Sequence, residues 1–257
     1  MRLNLNADLG ESFGPWPMGD DAGLLGVVDS ANVACGFHAG DPLVMSRTVA
    51  MARERGVGIG AHPGFPDLQG FGRREMRLGE AELVAAVQYQ IGALEAIGRA
   101  HGVRLTHVKP HGALNNLACE ERALADTVAG AVAAVRPDLV LLAPVLSELA
   151  AAGGAAGLPL ALEVFADRAY TPRGTLVPRR EPGAVLETSA ACIRQVRAMI
   201  AAEGIVTREG EVLPCAFHSV CVHGDNAHAL ATARELRAAL LDDGHALGPL
   251  AEVMAEH

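Results

Sequence analysis

The fold that we predict for this chain follows from one stretch of the sequence, residues 30–62, which reads SANVACGFHAGDPLVMSRTVAMARERGVGIGAH. Its middle part has the pattern of a helix, since Asp41 is placed to cap the N-terminus, Pro42 suits the first turn and Gly56 follows the last basic turn. The flanking runs SANVACGF and GVGIGAH are short and apolar, as buried strands are. Parallel strands need a crossover connection, which is usually a helix. The stretch therefore predicts one unit of a parallel α/β sheet.

The same alternation of strands and helices continues along the rest of the chain. Helical patterns lie at 80–101, 120–135, 184–203 and 227–241, and further strands are predicted at 3–6 and in RLTHVK, DLVLLAPV, LALEVFA and SVCVHG. This makes seven strands, and no composition shift divides the chain, so we predict one α/β domain over residues 1–257. Two architectures stay open, a doubly wound sheet and a closed (β/α) barrel. The turn after the first strand, NADLGES, lacks the Gly-x-Gly-x-x-Gly sequence of a dinucleotide site.

Composition limits the class of ligand. The formal net charge of −9 argues against nucleic acid or an anionic membrane surface as a partner, because both are polyanions. No apolar run is long enough to span a bilayer and no secretory signal is recognisable, so we expect no membrane association.

The cysteines are odd in number and widely spaced, at positions 35, 119, 192, 215 and 221. This pattern favours reduced thiols, and we predict a cytoplasmic protein.

The chain contains a single lysine, Lys109, among 21 lysines and arginines. It lies in THVKPHGALNN, residues 106–116, between a strand pattern and a Pro-His-Gly turn, and not on the exposed helical face where lysine is commonest. A lysine ammonium is a compact charge with a tunable pKa, whereas guanidinium is a rigid fork. We therefore expect a functional role for Lys109. A Walker A loop is excluded, because it requires Gly-Lys-[Ser/Thr] and this lysine follows a valine.

Polar residues gather where the predicted strands end. In a parallel barrel the ligand site is built at this end of the strands. The residues are Asn6, Asp8 and Glu11; His38 and Asp41; His62 and Asp67; Lys109, His111, Asn115 and Asn116; Glu163, Asp167, Arg168 and Tyr170; and His223, Asp225 and Asn226. Glycine and proline flank many of them, as in CGFHAGDP and KPHG, which favours tight turns that aim side chains inward. The Pro- and Arg-rich connection at 170–183 is predicted to be a lid, a partner surface or a disordered segment.

Several of these residues have alternative interpretations. Asp8 is either a turn former, a general base or a metal ligand. His38 and His62 are either neutral core histidines or, with Asp8, the ligands of a divalent ion. Cys35 next to His38 invites a nucleophile hypothesis, but a small buried residue of a packed strand is the better interpretation. Arg73 and Arg74 are either solvated or bind a carboxylate in fork geometry, and we expect a binding role for one of them.

The strings NLNADLGESFG, ANVACGFHAGDP, GAHPGFPDLQGFGRR, VKPHGALNN and FADRAY resemble the LamB/YcsF family. The resemblance covers nearly the whole chain, from Asn4 to the HGDN near residue 226. It implies an irregular seven-stranded (β/α) TIM-like barrel of the glycoside hydrolase/deacetylase type. It also implies a component of 5-oxoprolinase, which uses ATP to open the lactam 5-oxo-L-proline to L-glutamate with two partner components. The family site carries over to Asp8, His38, His62, Lys109 and His111.

A lactam is a poor electrophile, and coupling to ATP is explained if the amide oxygen is phosphorylated. Because this chain lacks a nucleotide loop, we hypothesise that the partners activate the ring and that this chain hydrolyses it. Asp8, directly or through a bound ion, takes a proton from water, His62 or His111 protonates the departing nitrogen, and Lys109 stabilises negative charge. The residues predicted to contact the substrate are Asn6, Glu11, Arg73, Arg168 and Asp225. The alternatives are a stand-alone metal-dependent amidohydrolase or deacetylase, and a non-catalytic subunit that binds the lactam.

Overall fold

A closed barrel of parallel strands forms the centre of the computed structural model, which describes residues 1–222 and 229–256. The strands are β1 (Arg2–Leu9), β2 (Ser30–Ala34), β3 (Gly58–His62), β4 (His107–Val108), β5 (Val140–Pro144), β6 (Leu160–Phe165), β7 (Gly204–Val206), β8 (Val212–Pro214), β9 (Ser219–Val222) and β10 (Ala246–Leu247). Strands β1 to β6 pair in chain order, and β9 closes the ring between β6 and β1. All seven predicted strands are therefore confirmed. Of the two architectures that the sequence leaves open, the structure has the closed barrel and not the doubly wound sheet.

Helices follow most of the barrel strands. They are α1 (Asp21–Leu24), α2 (Pro42–Glu54), α3 (Glu80–Ala100), α4 (Gly112–Glu120), α5 (Arg122–Val135), α6 (Glu148–Ala155), α7 (Ser189–Ala202), α8 (Ala229–Asp242) and α9 (Leu250–Met254). Helix α2 begins at Pro42 as predicted, and the Asp41 carboxylate accepts hydrogen bonds from the backbone N–H groups of Leu43 and Val44. Within the described part of the chain, no helix combines the length and the apolar character that a membrane span needs.

Several short elements were not predicted from the sequence. Helix α4 starts directly after the Pro-His-Gly turn, so Asn115 and Asn116, which were expected in a loop, lie on its first turns. The antiparallel hairpin β7–β8 and the two-residue strand β10 are also new, and β10 pairs with the start of β1 outside the closed ring. Asparagine is a poor helix former and three-residue strands carry little periodicity, so these elements leave weak signals.

The barrel interior carries a layer of buried amide and hydroxyl groups. Every second residue of β1 points inward, which places Asn4, Asn6 and Asp8 on the same side of the strand. Asn4 donates to the Ser30 hydroxyl, and Asn6 donates to the Ser219 hydroxyl. These groups satisfy one another's hydrogen bonds below the mouth of the barrel, which fixes the side chains above them.

One glycine of GVGIGAH, Gly60, is required by a close steric contact inside the barrel. Gly60 on β3 faces the fully buried ring of His107 on β4, and a Cβ atom at position 60 would lie only 2.2 Å from that ring. The ring has no freedom to move aside, because its two nitrogens bond Asn32 and Thr106. Glycine at this position therefore makes room for a histidine inside the barrel.

Candidate active site

A cavity of about 430 Å³ opens at the carboxyl ends of the barrel strands. The predicted site residues that line it are Asp8, Glu11, His62, Arg73, Lys109, His111 and Arg168. Asn6 and His38 are fully buried behind this wall. Asp225 lies outside the described residues, as do His223 and Asn226. The strand-end rule thus brings most of the predicted residues into one concave site.

Lys109 stands at the centre of the site, with only 2% of its surface exposed. Its Nζ lies 3.1 Å from Asp8 Oδ1 and 3.2 Å from Glu163 Oε2, and it also donates to Asn6 Oδ1 and Cys221 Sγ. Burial alone would lower the pKa of Lys109, but the neighbouring carboxylates raise it well above its ordinary value. The side chain is therefore an ammonium ion held between two acids at the floor of the cavity.

The Asp8 carboxylate is oriented through both of its oxygens. Oδ1 accepts hydrogen bonds from Lys109 Nζ and, at 2.9 Å, from Asn32 Nδ2, whereas Oδ2 lies 3.3 Å from His62 Nε2. Asn32 is itself fixed, because its Oδ1 accepts a hydrogen bond of 2.8 Å from His107 Nε2. This support from β2 and β4 holds Asp8 in one position at the cavity floor.

Glu163, on β6, is the second acid that contacts Lys109. It is fully buried, and its Oε2 accepts hydrogen bonds from Lys109 and from Asn6 Nδ2. Its Oε1 has no hydrogen-bond partner among residues 1–222 and 229–256. Burial raises the pKa of Glu163, an effect that the ammonium of Lys109 opposes. Glu163 therefore shares the lysine charge with Asp8, a role that its place at a strand end did not predict.

His62 and His111 present two nitrogens to each other. His62 Nδ1 lies 2.6 Å from the Lys109 carbonyl oxygen and His111 Nε2 lies 2.8 Å from the Phe71 carbonyl oxygen, so each of these nitrogens carries the proton and donates it. The remaining nitrogens, His62 Nε2 and His111 Nδ1, then face each other with their lone pairs at 3.0 Å. Two lone pairs at this distance repel each other, and a metal ion or a proton shared by the two nitrogens removes the repulsion.

His38 and Glu11 complete this group. Ligand atoms of Glu11, His38, His62 and His111 all lie within 4.8 Å of one another. His38 Nε2 lies 3.6 Å from Glu11 Oε1, and neither ring nitrogen of His38 has a hydrogen-bond partner in the described part of the chain. Burial, and then the neighbouring histidines, lower the pKa of His38 and of His111 well below the ordinary value. The rings of His38 and His111 are therefore neutral, as metal ligands must be.

This tetrad of Glu11, His38, His62 and His111 fits a divalent cation. Zinc–nitrogen distances of about 2.1 Å place two tetrahedral ligands about 3.4 Å apart, close to the separations within the tetrad. Backbone carbonyls fix the tautomers of His62 and His111, as is usual for metal-binding histidines. The set differs from the predicted one, because Glu11 and His111 take the place of Asp8. Asp8 is instead engaged by Lys109.

The buried thiols do not have the properties of nucleophiles. Burial raises the pKa of Cys35 to about 12, and its Sγ donates to the Val33 carbonyl. Burial also raises the pKa of Cys221 well above its ordinary value, although the Lys109 ammonium opposes the shift. Both thiols therefore stay protonated, which agrees with a packing role for Cys35.

Four arginines line the same cavity. Arg73 and Arg168 were predicted to bind the substrate, and Arg179 and Arg180 join them from the connection after β6. Arg168 is 5% exposed, and its guanidinium donates to the Val177 and Ala184 carbonyls. The cavity lining therefore combines carboxylates with this group of four arginines, which we call the arginine end.

Two of the strand-end residues have structural roles. Asp67 pairs with Arg74, which with other hydrogen bonds holds the pKa of this carboxyl below its ordinary value, and Asp41 caps α2.

Sequence reasoning missed Asn32 and His107, and it gave no role to Glu163. These three residues form the buried layer under Asp8 and Lys109. A charged or amide residue within an apolar strand pattern was the available signal, because such a group is buried only with a partner.

Comparison with known proteins identifies related chains. The model of the LamB/YcsF family matches residues 3–255. A protein of an Azoarcus species, described as one of the subunits of 5-oxoprolinase, is 58% identical over 253 residues, which cover 98% of this chain and 99% of the relative. A protein of Nitrobacter winogradskyi with the same description is 52% identical over 250 residues, with coverages of 97% and 98%.

The fold has been observed in a close structural neighbour. The crystal structure of a lactam utilization protein from Thermus thermophilus superimposes with a TM-score of 0.90 at 41% identity, covering 96% of this chain and 99% of the other. This similarity confirms the TIM-like α/β barrel that the sequence resemblance implies.

Proposed function

Because this chain belongs to the LamB/YcsF family, we propose that it is the 5-oxoprolinase subunit in which the lactam ring of 5-oxo-L-proline is opened to L-glutamate. The relatives described as 5-oxoprolinase subunits support this assignment, and so does the similarity to a lactam utilization protein. The observation that carries the chemistry is the contact of 3.1 Å between the Asp8 carboxylate and the Lys109 ammonium at the floor of the cavity.

The complex would activate the lactam with ATP before this chain acts on it. Transfer of the γ-phosphoryl group to the amide oxygen gives an O-phosphorylated ring and ADP. Addition of water at the ring carbon and cleavage of the carbon–nitrogen bond then give an acyl phosphate with a free amine. A second water releases phosphate and leaves L-glutamate. The two partner subunits carry out the ATP-dependent step, and we place the reaction in the cytoplasm.

In the proposed reaction, Asp8 acts as the general base and then as the general acid. Its carboxylate takes a proton from the attacking water and returns a proton to the departing ring nitrogen. The adjacent ammonium of Lys109 favours the charged form of the carboxylate and stabilises the negative charge that develops on oxygen. Asn6 is fully buried and bonds Lys109, so it positions the lysine from below the cavity.

The tetrad of Glu11, His38, His62 and His111 would hold a divalent cation beside Asp8. We assign His62 and His111 to this task, in place of protonation of the ring nitrogen, because their N–H groups are bonded to backbone carbonyls. When bound, the cation would supply Lewis-acid polarisation of the oxygen at the scissile carbon.

The metal site predicts a measurable stoichiometry. We expect the chain, loaded with zinc or manganese and then desalted, to retain about one equivalent of metal. His38→Ala and His111→Ala should lose most of it, whereas His101→Gln should not. His101 bonds Ser46 at the end of α3 and is the matched control. The metal content and the metal-dependent shift in melting temperature are measured for the wild type and for each variant. Wild-type protein that retains no metal would contradict the tetrad assignment.

Reconstitution tests the function as a whole. We expect glutamate and phosphate from 5-oxoproline and ATP only when this chain is mixed with both partner subunits. Glutamate formation by this chain without partners would instead favour a stand-alone amidohydrolase. Glutamate formation by the partners alone, merely enhanced by this chain, would favour a lactam-binding subunit without catalytic residues. Omission of each component in turn separates the three functions.

A further inference from the structure

The arginine end of the cavity comprises Arg73, Arg168, Arg179 and Arg180. Arg168 follows β6, and Arg179 and Arg180 lie further along the same connection, so one segment supplies three of the four cations. This segment is folded on itself, because isolated bridges join Arg168 to Val185 and Tyr170 to Leu176. Its start is fixed to the barrel, because the Phe165 N–H on β6 donates to the Tyr170 hydroxyl. The cations therefore sit on a folded segment, and their grouping is part of the architecture.

Arg168 is held rigidly in this group. Its Nη2 donates to the Val177 carbonyl at 2.7 Å, and its Nε donates to the Ala184 carbonyl. Neighbouring surface arginines are neutralised, since Arg173 pairs with Glu120 and Arg208 with Glu181. Within residues 1–222 and 229–256, no carboxylate forms an ion pair with Arg168, Arg179 or Arg180, although the charge of Asp167 acts on Arg168. A buried guanidinium that no carboxylate contacts directly is stabilised by a bound anion.

The charges of these arginines act on one another. The pKa of Arg168 is lowered to about 10, first through burial and next through the charge of Arg179. Arg73 contributes to the same shift. Arg73 also lies beside the tetrad, because its guanidinium stacks over the Phe71 ring at 4.9 Å and that ring makes an edge contact with the His111 ring. An anion at the arginine end would be close to the groups that open the ring.

We propose that Arg168 and Arg179 form the subsite that binds the phosphoryl group of the activated lactam. The inference rests on the proposed function, which supplies the O-phosphorylated ring, and it names the residues that recognise its phosphoryl group. Free 5-oxoproline carries one carboxylate, which a single arginine such as Arg73 satisfies. A phosphoryl group adds a charge of about −1.5 to −2 and three acceptor oxygens. Two further guanidinium groups match that addition in charge and in fork geometry.

The test compares ligands with and without the phosphoryl group on the isolated full chain. The probes are 5-oxoproline, inorganic phosphate, and the phosphonate isostere of the ring-opened acyl phosphate, in which a methylene replaces the bridging oxygen. We expect calorimetry to show tighter binding of the phosphonate than of the other two. Arg179→Gln should weaken phosphonate binding by roughly tenfold to a hundredfold and leave 5-oxoproline binding unchanged.

Arg173→Gln is the matched control, because Arg173 lies on the same segment with its side chain 80% exposed and paired with Glu120. It should bind the phosphonate as the wild type does. Equal affinity of wild type and Arg179→Gln would overturn the proposal, and so would inorganic phosphate that binds as tightly as the phosphonate, since the site would then serve free phosphate. Glutamate formation by the complex reconstituted from this chain and its partners is measured in a separate experiment. Selective phosphonate binding, together with partners that make glutamate without this chain, would reject the proposed function alone.

Discussion

Replacement of Asp8 by asparagine is expected to reduce glutamate formation by the reconstituted enzyme roughly 10²- to 10⁴-fold, the usual contribution of a positioned general base. The amide keeps the shape of the side chain and can still accept from Lys109 and Asn32, so the cavity should keep its form. What is lost is the negative charge that takes the proton from water. Turnover in the presence of both partners, measured as glutamate release, gives the result.

Asp29→Asn is the matched control for this change. Asp29 precedes β2 at the opposite end of the barrel, where it accepts from the Leu5 N–H and pairs with Arg237. The same substitution there should lower the free energy of unfolding but leave turnover unchanged. Wild-type turnover by Asp8→Asn, with a folded protein, would assign the proton transfer to another group. An equal loss of turnover in both variants would point to stability and not to chemistry.

The barrel was predictable from the sequence because its strands are short apolar runs separated by amphipathic helices. The runs around β2 and β3 are so clear that the helix between them begins at the expected residue. Helix α4 was missed because Gly112, Asn115 and Asn116 weaken the local helix signal, whereas burial of its apolar side chains stabilises it in the fold. Tertiary contacts of this kind leave little trace in a single sequence.

The site was predictable where a residue directly ends a strand, as Asp8, His62 and Lys109 do. The tetrad was harder to predict, because Glu11 joins it only through the fold of the chain beyond β1. Gly10, with φ of +68°, turns the backbone there, and its Cβ would crowd Val33 and Thr48. The role of Glu163 was hidden for another reason. Its importance depends on a contact with Lys109, 54 positions earlier in the sequence, which only the closed barrel creates.

Lys109→Arg is expected to abolish most turnover although it keeps the formal charge. Four groups surround Nζ within 3.3 Å, namely Asp8, Glu163, Asn6 and Cys221, and the wider planar guanidinium does not fit that space. Loss of one preorganised electrostatic stabiliser reduces the rate by roughly 10²- to 10³-fold. Overpacking should also lower the free energy of unfolding by about 1–3 kcal/mol. Glutamate release and urea unfolding are measured on the same preparation.

A pair of further variants separates catalysis from stability at this position. Lys109→Met leaves the buried acids Asp8 and Glu163 without their cation, and it should lose about 3–5 kcal/mol of stability. Adding Glu163→Gln removes one of the two charges and should restore part of that loss. Turnover should not return in the double variant, because the positive charge at the scissile carbon is still missing. If turnover recovered together with stability, Lys109 would be a structural ion between two acids, and the stabilisation of charge during ring opening would have to come from the arginine end of the cavity.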